Sequence, residues 1–210
     1  FIANPKLTLS GMASVPKSEL MQQADSNSAR SILPCVLHTV DDSNSQTQAA
    51  QWVARLPAQD IDFPFVCKPD IGCRGSGVKL VQNIEQLVEC IESYPQGSGL
   101  LAQKLSNWEP EVGIFFVRMP GQSEGRIVSL TQKHTPHVIG DGSSTLGELV
   151  GQDHRAKDLT RLYYQRHQSK WDQVLDKGED YRLVFSASHC RGAVFSDVRT
   201  QVTPELTQRI

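Results

Sequence analysis

The chain reads as two kinds of apolar spacing separated by turn formers. Short apolar runs occur at FPFVCKPD, VKLV and LLAQKL, and each is flanked by Pro, Gly or Asn. Runs of this length bounded by turn residues predict buried strands, with Pro64 opening the first and Pro69 ending it. Between the second and third lies NIEQLVECIES, where Ile84, Leu87, Val88 and Ile91 follow i, i+3, i+4, i+7. That spacing predicts a helix with Asn83 as its cap. Ala49, Ala50, Val53 and Leu56 repeat at helical spacing after the polar run DDSNSQTQ, and SVPKSELMQQA predicts a shorter helix capped by Ser14 or Ser18, with Pro16 near its first turn. Residues 1–40 otherwise mix apolar pieces with turn formers.

Further along, EVGIFFVRMP and GRIVSLTQK flank the turn PGQSEG and predict an antiparallel hairpin. HVIGDGSSTLGELV predicts a strand, a turn at Asp141-Gly142, and a helix begun by Ser or Thr. DHRAKDLTRLYYQRH predicts a helix capped by Asp153, with Ala156, Leu159, Leu162 and Tyr163 on one face. YRLVFSA predicts a last strand, then HCRGAVFSDV and a helix start at TPEL. Strands and helices mixed in this order make the fold class α+β.

Composition narrows the function classes. Of 210 residues, 39% are hydrophobic and 21% charged, which describes a globular protein with a core. Lys and Arg number 21 against 23 Asp and Glu, a net charge of -2, which argues against a nucleic-acid partner, since that needs a basic face. No run approaches the roughly 20 apolar residues of a membrane span. The five cysteines lack CxxC spacing, so neither a zinc site nor a disulfide framework is favoured, and a reducing cytoplasm is the simplest compartment.

The chemistry gathers in FPFVCKPDIGCRGSGVKLV. Gly72, Gly75 and Gly77 permit positive φ and close backbone approach to a ligand, so their N–H groups could converge on phosphate oxygens. Lys68 would set an ammonium over the same phosphates, with Arg74 adding a planar cation and Ser76 a hydroxyl. GxxxxGK[ST] is absent, so this is no P-loop. The loop leads into VKLV rather than a helix, so it is no dinucleotide fingerprint either. An ordinary tight hairpin turn remains the alternative.

The ordered series of lysine-bearing strand, glycine hairpin, strand, helix, LLAQKL and EVGIFF resembles the ATP-grasp family, across about residues 10–205 and most closely over 63–150. VIGDGSSTLGELV is similar to the stretch found in the cyanophycin synthetase group of amino-acid ligases. The resemblance implies an ATP-grasp fold of two small α+β lobes with nucleotide between them. It assigns residues 1–62 to the N-terminal part of the grasp region and a linker, 63–105 to the lid lobe, and 106–210 to the second lobe. It implies an ATP-dependent carboxylate–amine ligase that works through an acyl-phosphate, with small-molecule carboxylate and amine substrates.

By the same resemblance Lys68, and Lys17 in SVPKSELM, bind phosphates. Gln103 stands where relatives commonly have Glu and would accept from adenine, while Leu105 offers backbone groups to the ring. Glu111 would bind the ribose hydroxyls. Arg118 and Lys133 could meet the phosphates or an acyl-phosphate, and Arg191, with His189, a substrate or phosphate. The family completes its site with two Mg²⁺ ions. No metal ligand is recognisable here, so the chain is expected to be incomplete at both ends and inactive by itself. An ATP-grasp carboxylase or kinase, a nucleotide-binding regulatory module without catalysis, and a homo-oligomer all stay open.

Overall fold

The computed structural model describes residues 4, 7, 11, 15–72 and 75–210. Within them the chain divides into two compact units, Phe1–Asn107 and Trp108–Ile210. It is a mixed α+β structure whose strand pairings are all antiparallel among the described residues.

The first unit carries a four-stranded sheet in the order β1-β4-β2-β3, with β1 at Cys35–Thr39, β2 at Phe65–Pro69, β3 at Lys79–Val81 and β4 at Gly99–Lys104. Helices α2 (Ser45–Arg55) and α3 (Ile84–Glu92) cover one face. Trp52, Leu56, Leu87 and Ile91 from the helices pack there with Phe65, Cys67, Leu100 and Ala102 from the strands, all fully or almost fully buried. Period-2 alternation then sends Val66 and Lys68 of β2, with their cross-strand partners Gln103 and Leu101, to the opposite face. Asn83 accepts from the Gln86 N–H at 3.0 Å and so caps α3, and Asn44 caps α2 in the same manner through the Gln46 N–H.

Strand β1 is absent from the sequence-based expectation. Its alternation is hidden because a polar residue, His38, points into the core. His38 Nε2 bonds Gln48 Oε1 at 2.9 Å and its ring stacks on Trp52, with centroids 4.8 Å apart. Gln48 also donates to the Ser43 carbonyl at 2.8 Å. Two polar side chains are thus satisfied by each other and by the turn after the strand.

The second unit holds a three-stranded sheet, β5 (Glu111–Val117), β6 (Arg126–His134) and β9 (Val194–Asp197), and a pair formed by β7 (His137–Ile139) and β8 (Asp180–Arg182). The β5–β6 hairpin forms as expected, with a register shift at Phe115/Phe116. Leu146, Leu149 and Val150 of α4 (Leu146–Gln152), Tyr163 of α5 (Thr160–His167) and Leu183 make the second core. Helix α6 (Pro204–Arg209) starts on a Thr203 cap.

Two expectations shift here. The helix expected from Asp153 begins instead as a 3-10 turn at Ala156–Leu159, and the Asp153 carboxylate accepts from the Arg155 and Ala156 N–H groups at 2.9 and 2.6 Å. YRLVFSA keeps strand geometry only through Arg182, because Arg182 Nε takes the Val184 carbonyl at 2.9 Å and turns the chain.

Helix α4 begins in a capping box. Thr145 Oγ1 accepts from the Glu148 N–H at 3.2 Å, and Glu148 Oε2 accepts from the Thr145 N–H at 2.8 Å. Thr145→Ala should therefore cost about 1 kcal/mol in urea unfolding, while Thr145→Ser stays within a few tenths. An unchanged midpoint for the alanine variant would show the cap to be idle.

Candidate functional site

On the face of the first sheet away from α2 and α3, the glycine hairpin between β2 and β3 closes over a cavity of about 200 Å³. Lys17, Lys68, Gly72, Gly75 and Ser76 line it. Five of the residues singled out from sequence are therefore neighbours in space. Gly77 lies beside them in the same hairpin, and Arg74 lies outside the described residues. Gly77 has φ +70°, and a Cβ there would fall 2.0 Å from the Tyr94 hydroxyl, so the approach of α3's end to the hairpin requires glycine at this position.

Lys68 reaches this face because β2 alternates. Its Nζ donates to Gln103 Oε1 at 2.6 Å, and Gln103 Nε2 in turn donates to the Leu33 carbonyl at 3.0 Å. The side chain expected to meet adenine is thus engaged with the side chain expected to meet phosphate. Leu105 follows the end of β4 and is half-buried.

Lys17 enters from α1 (Lys17–Gln22), whose N-cap Pro16 makes no side-chain capping hydrogen bond. Ser14 lies outside the described residues. The Lys17 ammonium donates to the carbonyls of Pro69 at 2.9 Å, Asp70 at 2.9 Å and Gly72 at 3.2 Å. Ser18 donates through its N–H to Asp70 Oδ1 at 2.8 Å and through Oγ to Asp70 Oδ2 at 2.6 Å. Asp70, only 8% exposed, is the site residue that sequence reasoning missed. The available signal was a carboxylate directly after the proline that ends a buried strand.

Neither Lys17 nor Lys68 forms an ion pair with a carboxylate among the described residues. Burial, followed by the positive charge of Lys17, holds the Lys68 ammonium below the ordinary lysine value, and Cys35 acts weakly the other way. Among the described residues the cavity therefore holds two cations and no carboxylate ion-paired to either, an arrangement that favours an anionic ligand.

The second unit presents its candidates separately. Glu111 and Lys133 are direct cross-strand partners on β5 and β6 and form an ion pair with each other. Both line a cavity of about 370 Å³ with Gly113, Phe115, Thr131 and Phe195. Arg118 is exposed just past β5 and does not line this cavity. Arg191 ends the 3-10 turn His189–Arg191 and donates to the Ser186 carbonyl at 3.2 Å. Asp141 serves as a turn residue, accepting from the N–H groups of Ser143 at 2.8 Å and Ser144 at 2.6 Å. Among the described residues, no group of three or more His, Cys, Asp or Glu side chains is arranged to hold a metal ion, and no helix is long and apolar enough to cross a membrane.

No protein-family model matches the sequence, and no curated protein matches it. Among solved structures the chain is similar to a bifunctional glutathione synthetase from Pasteurella multocida, at 16% identity and a TM-score of 0.33. The match covers 84% of this chain and 24% of that one, so this chain spans about a quarter of its length. A likeness at that level identifies neither activity nor substrate.

The Lys68 ammonium links stability to pH. The folded protein holds this proton less tightly than the unfolded chain does, so the cost of the buried charge is present below the folded pKa. Stability rises with pH between the folded and unfolded values. In Lys17→Met, side-chain NMR titration should find the Lys68 pKa moved back up toward that of an exposed lysine. An unmoved value would remove Lys17 as a neighbour of consequence.

Proposed function

We propose that this chain forms the phosphate-gripping part of an ATP-grasp ligase, one that activates a carboxylate with ATP and joins it to an amine. One observation carries the proposal: Lys17 and Lys68 share a small cavity under a glycine hairpin, and among the described residues neither is ion-paired with a carboxylate. A polyphosphate supplies the missing charge. Lys68 spends one proton on Gln103 and keeps two for phosphate oxygens. The order of motifs from Lys68 to Glu111 resembles ATP-grasp ligases, and this turns a polyphosphate site into an ATP site.

In the proposed reaction a carboxylate oxygen attacks the γ-phosphorus. The bond from that phosphorus to the bridging oxygen breaks, and ADP leaves. The amine nitrogen then adds to the acyl-phosphate carbonyl and gives up a proton, and the tetrahedral intermediate expels inorganic phosphate as the amide forms. The ammonium of Lys68 would offset charge that develops on the transferring phosphoryl group. By the resemblance, Glu111 is proposed for the ribose hydroxyls, Arg118 and Lys133 for phosphate or an acyl-phosphate, and Arg191 for substrate or phosphate. Among the described residues, no group of three or more His, Cys, Asp or Glu side chains is arranged to hold a metal ion.

Calorimetry on the chain tests the phosphate grip. ATP should bind more tightly than AMP, and Lys68→Ala should weaken ATP by about 10- to 100-fold, the worth of a charge-assisted hydrogen bond, while changing AMP little. Equal affinities for ATP and AMP, or no binding of either, would defeat the proposal.

A further inference from the structure

The donor inventory of Lys17 separates it from Lys68. An ammonium has three protons and no acceptor. At Lys17 all three find carbonyl oxygens, those of Pro69, Asp70 and Gly72, at 2.9, 2.9 and 3.2 Å. The contacts sit at the root of the glycine hairpin, 52 to 55 residues along the chain from Lys17.

The same root is held a second time through Asp70. Its N–H donates to the Gly99 carbonyl of β4 at 2.9 Å, and its own carbonyl accepts from the Lys17 N–H at 3.1 Å as well as from Nζ. Both carboxylate oxygens take Ser18. Because Pro16 gives α1 no local cap, the Ser18 N–H would lack a partner if Asp70 were removed. Helix and hairpin each supply what the other's backbone needs.

We infer that Lys17, with Ser18 and Asp70, is a positioning latch that fixes the root of the glycine hairpin. Phosphate is then gripped by Lys68 and the hairpin, and Lys17 contributes charge and placement in place of a ligand hydrogen bond. The part concerning phosphate rests on the nucleotide function proposed above, whereas the latch itself is readable without any ligand.

The experiment is amide hydrogen exchange of the 70–78 segment in the nucleotide-free chain, paired with ATP titrations of the same variants. Lys17→Met, which removes three hydrogen bonds, and Ser18→Ala, which removes one, should each speed exchange of this segment by about tenfold. Lys17→Arg should restore much of the protection, since a guanidinium also offers several donors to carbonyls. Lys104→Met, which removes a positive charge of the same unit paired with Asp60, should leave the segment unchanged. Ser18→Ala removes no charge and is the milder variant should Lys17→Met fail to fold, yet it should still weaken ATP in the same direction as Lys17→Met.

Wild-type exchange in both Lys17→Met and Ser18→Ala would overturn the latch. So would ATP binding that is lost in Lys17→Met and untouched in Ser18→Ala, the signature of a direct phosphate ligand. If no variant and no wild type binds ATP, the proposed function falls, while the exchange data still decide the latch.

Discussion

Two like charges held in one small space are the constraint around which the first unit is arranged. Repulsion between ammonium groups grows as water is excluded, so the fold must fix both side chains by other means. Lys68 is fixed by strand alternation and by Gln103, which is itself held through the Leu33 carbonyl. Lys17 is fixed by three carbonyls that a glycine-rich turn leaves pointing at it. The helical layer on the other face makes this possible: Phe65, Cys67 and Ala102 anchor β2 and β4 from below, so that the opposite side of the same strands is free to carry charge.

Much of the architecture was legible because local rules agreed with the final packing. The cap at Asn83, the period-3.6 face of α3, the β5–β6 hairpin and the Thr145 start of α4 are each decided within about ten residues. What escaped did so where a distant contact overrode the local pattern. Strand β1 was missed because His38 breaks its apolar alternation and is repaired by Gln48 and Trp52, ten or more residues away. The helix expected over 153–167 starts late because Asp153 spends its carboxylate on a tight first turn. Leu183 and Val184 are as apolar as a strand demands and reach the second core, yet strand geometry ends at Arg182, with only the Leu183 N–H still donating to the Pro136 carbonyl at 2.9 Å.

The site divides the same way. Lys68 and the glycines were visible because a strand, a cation and a flexible turn lie within ten residues of one another. Asp70 was overlooked in that very stretch, since its importance comes from Ser18 and the Lys17 backbone, more than fifty residues earlier. Register is equally silent in sequence. Nothing in EVGIFF and SLTQK announces that Glu111 stands directly across from Lys133, so two residues given separate duties prove to be partners.

Asp70 shows how few residues are needed to join a sheet, a helix and a hairpin. Its N–H belongs to β4, its carbonyl to Lys17, and its carboxylate to Ser18. Burying a carboxylate is costly unless it is hydrogen-bonded, and both oxygens are satisfied by the start of a helix that has no cap of its own. Moving α1 away would leave a buried carboxylate, an uncapped helix and an ammonium without acceptors, all at once. The hairpin root is therefore set by a cooperative group of contacts, and beyond it the glycines at 75 and 77 adopt φ +72° and +70°. A root fixed in this way keeps the cations in place beside the glycine backbone that would meet an anion.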